Sequence, residues 1–209
     1  HWRETSVQLP VALQGHSPSV CLLRCASHPL IRRCNRSHDT RLQTKRRRIA
    51  MILYHGSNIE INTPDLTKSK PYKDFGKGFY LSADKKQAIR MAEQKTLLLQ
   101  NGSPIVSEFE FDSTLLQSSE LNVKVFEDYS VEWATFVLNN RDMNLNHPMH
   151  QYDIVYGPIA DDGVTFQLRR FRSGVITIEE LVQELKYAQG ITYQYYFGTE
   201  LALSKLIKL

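Results

Sequence analysis

Residues 53–82, LYHGSNIEINTPDLTKSKPYKDFGKGFYLS, decide how the chain folds. Their ends read as two short strands, 52–54 and 78–81, where aromatic and branched residues adjoin glycines. That composition marks strands that meet another backbone closely. Between them runs a polar loop with Pro, Lys and Asp, too long for a hairpin turn, and loops of that length in compact domains are often functional. The first strand ends on His55 and Gly56, an imidazole beside a residue with no Cβ to keep a ligand off the backbone. The second presents Tyr80, a flat ring that stacks and carries a hydroxyl. The three describe a pocket for a flat, nucleotide-like ring.

On the N-terminal side the composition changes. Residues 1–50 carry ten Lys or Arg against Glu4 and Asp39, a net of +8 in a chain of net +4, which leaves residues 51–209 at −4. Cys21, Cys25 and Cys34, the chain's three cysteines, all fall here, and no methionine precedes Met51. No period of 2 or 3.6 is sustained. The expectation is a basic leader without stable structure, read first as translated upstream sequence with Met51 as the start. Two other readings are an acid-poor targeting peptide and a nucleic-acid-binding arm ending in Lys45-Arg46-Arg47-Arg48. Residues 51–209 suit one domain. Without cysteine this body holds no disulfide or thiolate metal site, as suits a reducing cytosol. No run approaches 18 apolar residues, so no membrane span is expected.

On the C-terminal side helices and strands alternate. Asp84-Lys85-Lys86-Gln87 resembles a capping box, opening a helix through Ala88, Ala92 and Leu99 to Gly102. Residues 105–111 alternate with Phe109 and Phe111 on one face, and Leu121, Val123 and Val125 do the same. Trp133, Phe136 and Val137 make a helical core stripe ending near Asn140-Arg141. A strand over 152–156 stops at Gly157-Pro158, Asp161-Asp162-Gly163 reads as a turn, and 166–171 as a further strand. Thr177-Ile178-Glu179-Glu180 caps a helix with Leu181, Val182 and Leu185 inward and Gly190 at its close. A strand over 191–197 leads through Thr199 into a terminal helix with Leu203, Leu206 and Ile207. Strands in succession favour an α+β class with mostly antiparallel pairing.

Other motifs are weaker. Asp74-Phe75-Gly76 lacks the rest of a kinase set, and Gly76-Lys77-Gly78 has neither the Walker nor the dinucleotide spacing. His147 and His150 beside Pro148 read as a loop before a metal corner, and Asp161-Asp162 as a turn before a cation site. No metal site is expected.

The body, over nearly all of 51–209, resembles a bacterial family related to ADP-ribosyltransferases. The likeness rests on Leu53-Tyr54-His55-Gly56-Ser57, on residues 73–82 (KDFGKGFYLS), Gln87-Ala88, Glu132-Trp133, Phe136, Asn140-Arg141, residues 152–162 (YDIVYGPIADD) and 194–200 (QYYFGTE). It implies an ADP-ribosyltransferase-like α+β fold, two small, mostly antiparallel sheets with flanking helices around an NAD cleft. It implies a His-Tyr-Glu class of site on His55, Tyr80 and, at the third position, Gln194. His55 would bond a ribose hydroxyl, Gly56 the nicotinamide carboxamide, and Tyr80 would stack on the ring. Ser57, Gly78 and Ser82 flank these positions and join the NAD-binding set, with Lys73 and Arg141 as candidates for the phosphates. Glutamine in place of glutamate weakens charge stabilisation of an oxocarbenium ion and disfavours poly-ADP-ribose synthesis.

The implied activity is mono-ADP-ribosyl transfer from NAD as a substrate to a macromolecular acceptor, in a cytoplasmic protein, and the resemblance extends to the role of a toxin held by an antitoxin protein. An NAD glycohydrolase and a non-catalytic nucleotide-binding module are the alternatives. Gln194 is preferred to Glu200 for the third position. Glu200 follows the N-cap Thr199, where a carboxylate already has a role against the helix dipole. Gln194 shares a strand face with Tyr196, where a polar side chain needs a partner.

Overall fold

The computed structural model describes residues 48–145, 147–187 and 190–209. The leader lies outside these residues except for its last three, and those belong to the domain. Arg48 pairs with Glu110 at 3.4 Å, Ile49 N–H donates to Asp112 Oδ1 at 3.2 Å, and Ala50 begins the first strand. The first strand thus extends one residue before Met51, with Ala50 opposite Asp112.

The described residues form a mixed α+β fold with two small open sheets and five helices. One sheet has the order β1–β3–β7, from β1 (Ala50–Ser57), β3 (Ile105–Asp112) and β7 (Ile207–Lys208). The other has the order β2–β6–β5–β4, from β2 (Phe79–Leu81), β4 (Val123–Val125), β5 (Ile154–Pro158) and β6 (Tyr193–Phe197). All pairings are antiparallel except β4 with β5. The helices are α1 (Lys85–Leu99), α2 (Val131–Asn140), α3 (Asp162–Arg172), α4 (Ile178–Tyr187) and the short α5 (Glu200–Leu203). None is long and apolar enough to cross a membrane.

Alternation along β6 divides the core in two. Tyr195 and Phe197 pack with Leu53, Phe109 and Phe111 between the sheets, and Tyr196 faces Trp133, Val137, Val164, Leu168, Leu181 and Leu185 of the helical layer. Burying side chains of this size removes about 1.5–3 kcal/mol each from the cost of folding.

Four readings from the sequence are corrected. Residues 166–171 belong to α3. Asp161 is its N-cap, accepting from Val164 N–H at 3.0 Å, and Val164 and Leu168 are buried one helical turn apart. Acid in the first turn and three arginines in the last suit the helix dipole, so the expected turn is a cap. The terminal helix stops at Leu203, and Ile207 joins β3 as an edge strand. Gly157-Pro158 does not end β5 but completes it, pairing with Gln194 and Tyr193. Proline fits there because β4, the neighbour on its other side, pairs only as far as Tyr156. The capping box at Thr177 and Glu180 forms in full, with reciprocal bonds of 2.8 and 3.2 Å.

Candidate functional site

The two sheets touch along one edge. Tyr54 and Ser82 exchange backbone hydrogen bonds of 2.8 and 2.9 Å, joining β1 to the end of β2. One step further the ladder stops. The next carbonyl on β2, that of Tyr80, accepts from His55 Nδ1 at 2.7 Å instead of from a backbone amide. A carbonyl only accepts, so Nδ1 carries the proton and the neutral ring presents Nε2 as an acceptor. Burial holds the His55 pKa at about 4, and the charges of Lys95 and Lys73 act in the same direction against the Tyr80 carbonyl. The imidazole is also stacked on Phe79, with ring centres 4.4 Å apart.

Strand parity fixes what the gap beyond this bond contains. Tyr54 turns its N–H and C=O away from β3, and Gly56, two residues on, turns its own the same way. Gly56 therefore offers a donor and an acceptor to the space between β1 and β2. Its lack of a side chain has a separate cause, since a Cβ would lie 1.9 Å from the Ala88 carbonyl oxygen of α1. The glycine lets the helix lie on the strand, and the strand edge is left to the gap.

Tyr80 is held at its far end. Its hydroxyl donates to Gly76 C=O at 2.7 Å and accepts from Phe75 N–H at 3.1 Å. Burial, and then the Asp74 charge, push its pKa well above the usual phenol value, so it remains a donor. Lys73 Nζ sits 4.9 Å from the ring centroid, a cation on the aromatic face. Lys73 itself retains exposed surface but is crowded, and its pKa falls through burial and then the Lys95 charge. Ser57 is buried next to Gly56 and accepts from Lys95 Nζ at 3.0 Å.

The remaining expected site residues have structural partners. Gln194, only 8% exposed, donates through Nε2 to Asp74 Oδ2 at 2.9 Å, so the partner its strand position requires is a carboxylate of the same chain. Arg141, expected at a phosphate, places Nε and Nη2 on Asp74 Oδ1 at 2.9 and 2.6 Å, Nη1 on Thr165 and Nη2 also on the Ala160 carbonyl. Ala160 N–H completes Asp74 at 2.9 Å. Ser82 accepts from Asp84 N–H and donates to Gln87 Oε1, closing the capping box of α1 by relay. Gly78 is required by Tyr196, whose ring would lie 2.1 Å from a Cβ there. Glu200 is exposed in the first turn of α5.

Asp74 is thus a hub, although in the sequence it stands out only as part of a spurious kinase tripeptide. It links His55, Tyr80 and Gln194. Gln194 holds Asp74, the next two residues hold the Tyr80 hydroxyl, and the Tyr80 carbonyl holds His55. Lys95 is a second group that no motif marks. It follows Ala88 and Ala92 at i+7 and i+3 on the buried stripe of α1, where periodicity calls for an apolar residue, and that displacement was a legible signal.

A cavity of about 900 Å³ lies on the other flank of the 65–78 loop, lined among others by Tyr72, Lys77, Asn140, His150 and Tyr196. It reaches none of His55, Gly56, Tyr80 and Gln194. His150 there donates to Phe75 C=O at 2.8 Å and accepts from Tyr152 N–H at 3.1 Å, so both ring nitrogens are engaged, and no group of metal ligands occurs among the described residues. The gap between β1 and β2, where an imidazole acceptor, a strand edge and an aromatic ring converge, is the better candidate.

A family described as "Protein of unknown function (DUF3990)" matches residues 51–208. The chain belongs to that family. No curated protein and no solved structure matches it. The DUF3990 match begins one residue after the start of β1 and ends within β7, so it spans the fold just described.

Proposed function

We propose that the domain binds NAD in the gap between β1 and β2 and transfers ADP-ribose from it to an acceptor, within an ADP-ribosyltransferase-like fold. The observation that carries this reading is the His55–Tyr80 bond, which ends the inter-sheet ladder and leaves an imidazole acceptor, a bare strand edge and an aromatic face around one opening. Nε2 of His55 accepts from a ribose hydroxyl, the Gly56 edge pairs with the carboxamide, and Tyr80 supports the nicotinamide ring. That ring is a pyridinium cation in NAD, so the face now holding the Lys73 ammonium suits it by the same electrostatics.

In the reaction the C1′–N bond breaks, nicotinamide leaves with the electron pair, and an oxygen or nitrogen of the acceptor attacks C1′ and gives up its proton. Charge builds on the sugar as in glycoside hydrolysis, and fixing ring and ribose lowers the barrier largely by positioning. Gln194 acts through Asp74 as a positioning residue. With Asp74 bonded on both oxygens and an amide at the third position, a non-catalytic nucleotide-binding module is the second reading.

Incubation of the full chain with NAD labelled in its adenine half separates these. Nicotinamide release with label moving to a macromolecule is expected, and His55→Ala should cut release at least about tenfold, or roughly 1.4 kcal/mol of barrier. Release without transfer indicates a glycohydrolase, and binding without release a module. No binding rejects the proposal.

A further inference from the structure

The gap contains more positive charge than a nicotinamide ribose needs. Lys95 reaches Ser57 Oγ at 3.0 Å from α1, and Lys73 reaches the Tyr80 ring from the loop. Lys70, three residues before Lys73 on the same loop, is exposed, and its charge acts on both of the others. Among the described residues no carboxylate lies within ion-pair distance of any of the three. The nearest acid in sequence, Asp74, has both oxygens taken by Arg141, Gln194 and Ala160 N–H. The three charges also act on one another. Lys95 has its pKa lowered by burial and then by Lys70, and Lys73 by burial, then Lys95, with Lys70 adding and Asp74 opposing. Like charges held together without a counter-ion cost stability, and a bound polyanion would relieve that cost.

We propose that Lys70, Lys73 and Lys95 form a seat for a diphosphate, with the buried Ser57 anchoring Lys95. The ligand class is a nucleoside diphosphate or its ester, and identifying it as the pyrophosphate of NAD rests on the function proposed above. Lysine suits the task because it binds phosphate as a mobile point charge. Lys73 then has two positions, on the Tyr80 ring in the free protein and on the phosphates when the pyridinium takes the ring face. Arg141, fixed by four bonds to Asp74, Thr165 and Ala160, is excluded from this role.

The test titrates the full chain by calorimetry with inorganic pyrophosphate, ADP and, separately, nicotinamide. Lys95→Met and Lys73→Met should each weaken pyrophosphate and ADP at least tenfold, and Lys95→Arg should restore most of the loss. Lys68→Met, a lysine paired with Asp65 outside the cluster, should change little. Nicotinamide should bind Lys73→Met no more weakly than wild type, because the ring face is uncovered. Unchanged ADP affinity in Lys95→Met, or an equal loss in Lys68→Met, overturns the seat. If nicotinamide binds and the diphosphates do not, the seat fails and the NAD reading stands. Lysine-dependent ADP binding without any nicotinamide binding leaves the seat standing and removes the NAD reading.

Discussion

Two polar regions lie within a few residues of each other and are built on opposite principles. Around Asp74 each group has its partner. The carboxylate takes Arg141, Gln194 and Ala160 N–H, and the guanidinium spends its remaining donors on Thr165 and a carbonyl. Around His55 polar groups lack partners within the domain. Among the described residues the His55 Nε2 has no partner, the side of Gly56 away from β3 has no paired strand, and Lys70, Lys73 and Lys95 have no acid within ion-pair distance. A saturated node holds a fold, because losing any member strands the others. An unsaturated one costs stability and is kept where a ligand completes it. Residue type alone does not separate the two, since both regions contain bases, amides and aromatic neighbours.

The largest effect should come from breaking the saturated node. Asp74→Ala leaves Arg141 and Gln194 unpaired in a poorly hydrated site, and breaking such a pair costs about 3–5 kcal/mol. Urea denaturation of the full chain measures it, and a loss under about 1 kcal/mol would mean that the node is not structural. Tyr80→Phe comes next. It keeps the ring but removes the bonds to Gly76 C=O and Phe75 N–H, so a stability cost of about 1–3 kcal/mol is expected. Per folded molecule, NAD affinity should stay near that of wild type. A large affinity loss without destabilisation would place the hydroxyl in the ligand site.

The pH dependence gives a smaller and more specific test. Above pH 6.5 His55 is neutral in both folded and unfolded chains, and its contribution is complete. Between 6.5 and about 4 the unfolded chain takes up a proton that the folded one refuses, so stability falls as pH falls. Denaturation midpoints at pH 7.5 and 5 should differ in wild type and differ less in His55→Gln. His150, also held down by burial, acts with the same sign and keeps part of the slope in the variant. An unchanged slope in His55→Gln would show that the imidazole is not buried as described.

What could be read from the sequence depended on how local the cause was. β1, β2, α1 and α2 were legible because alternation, caps and core stripes are short-range signals, and Leu53, Ala88, Ala92, Trp133 and Val137 are buried as those signals require. The alternation that put Gln194 with Tyr196 also held, since both lie on the helical face of β6. α3 was misread because aromatic ends and an acidic glycine turn outweighed the Val164–Leu168 spacing, and Phe166 proved 59% exposed. β7 has two residues and pairs with a strand far away in sequence, so no local pattern announces it. The Asp74 hub was out of reach for the same reason. Its partners lie 67, 86 and 120 residues further on, and a carboxylate gives no sequence sign of which distant donors it will meet.

The most direct test of the central claim, that the unsaturated gap is an NAD site, is a calorimetric titration of the full chain with NAD beside its Tyr80→Ala variant. Binding is predicted in wild type, weakened in the variant by about 1–2 kcal/mol, roughly 5- to 30-fold in Kd. No heat at millimolar NAD in wild type, or the same Kd in both proteins, would contradict it.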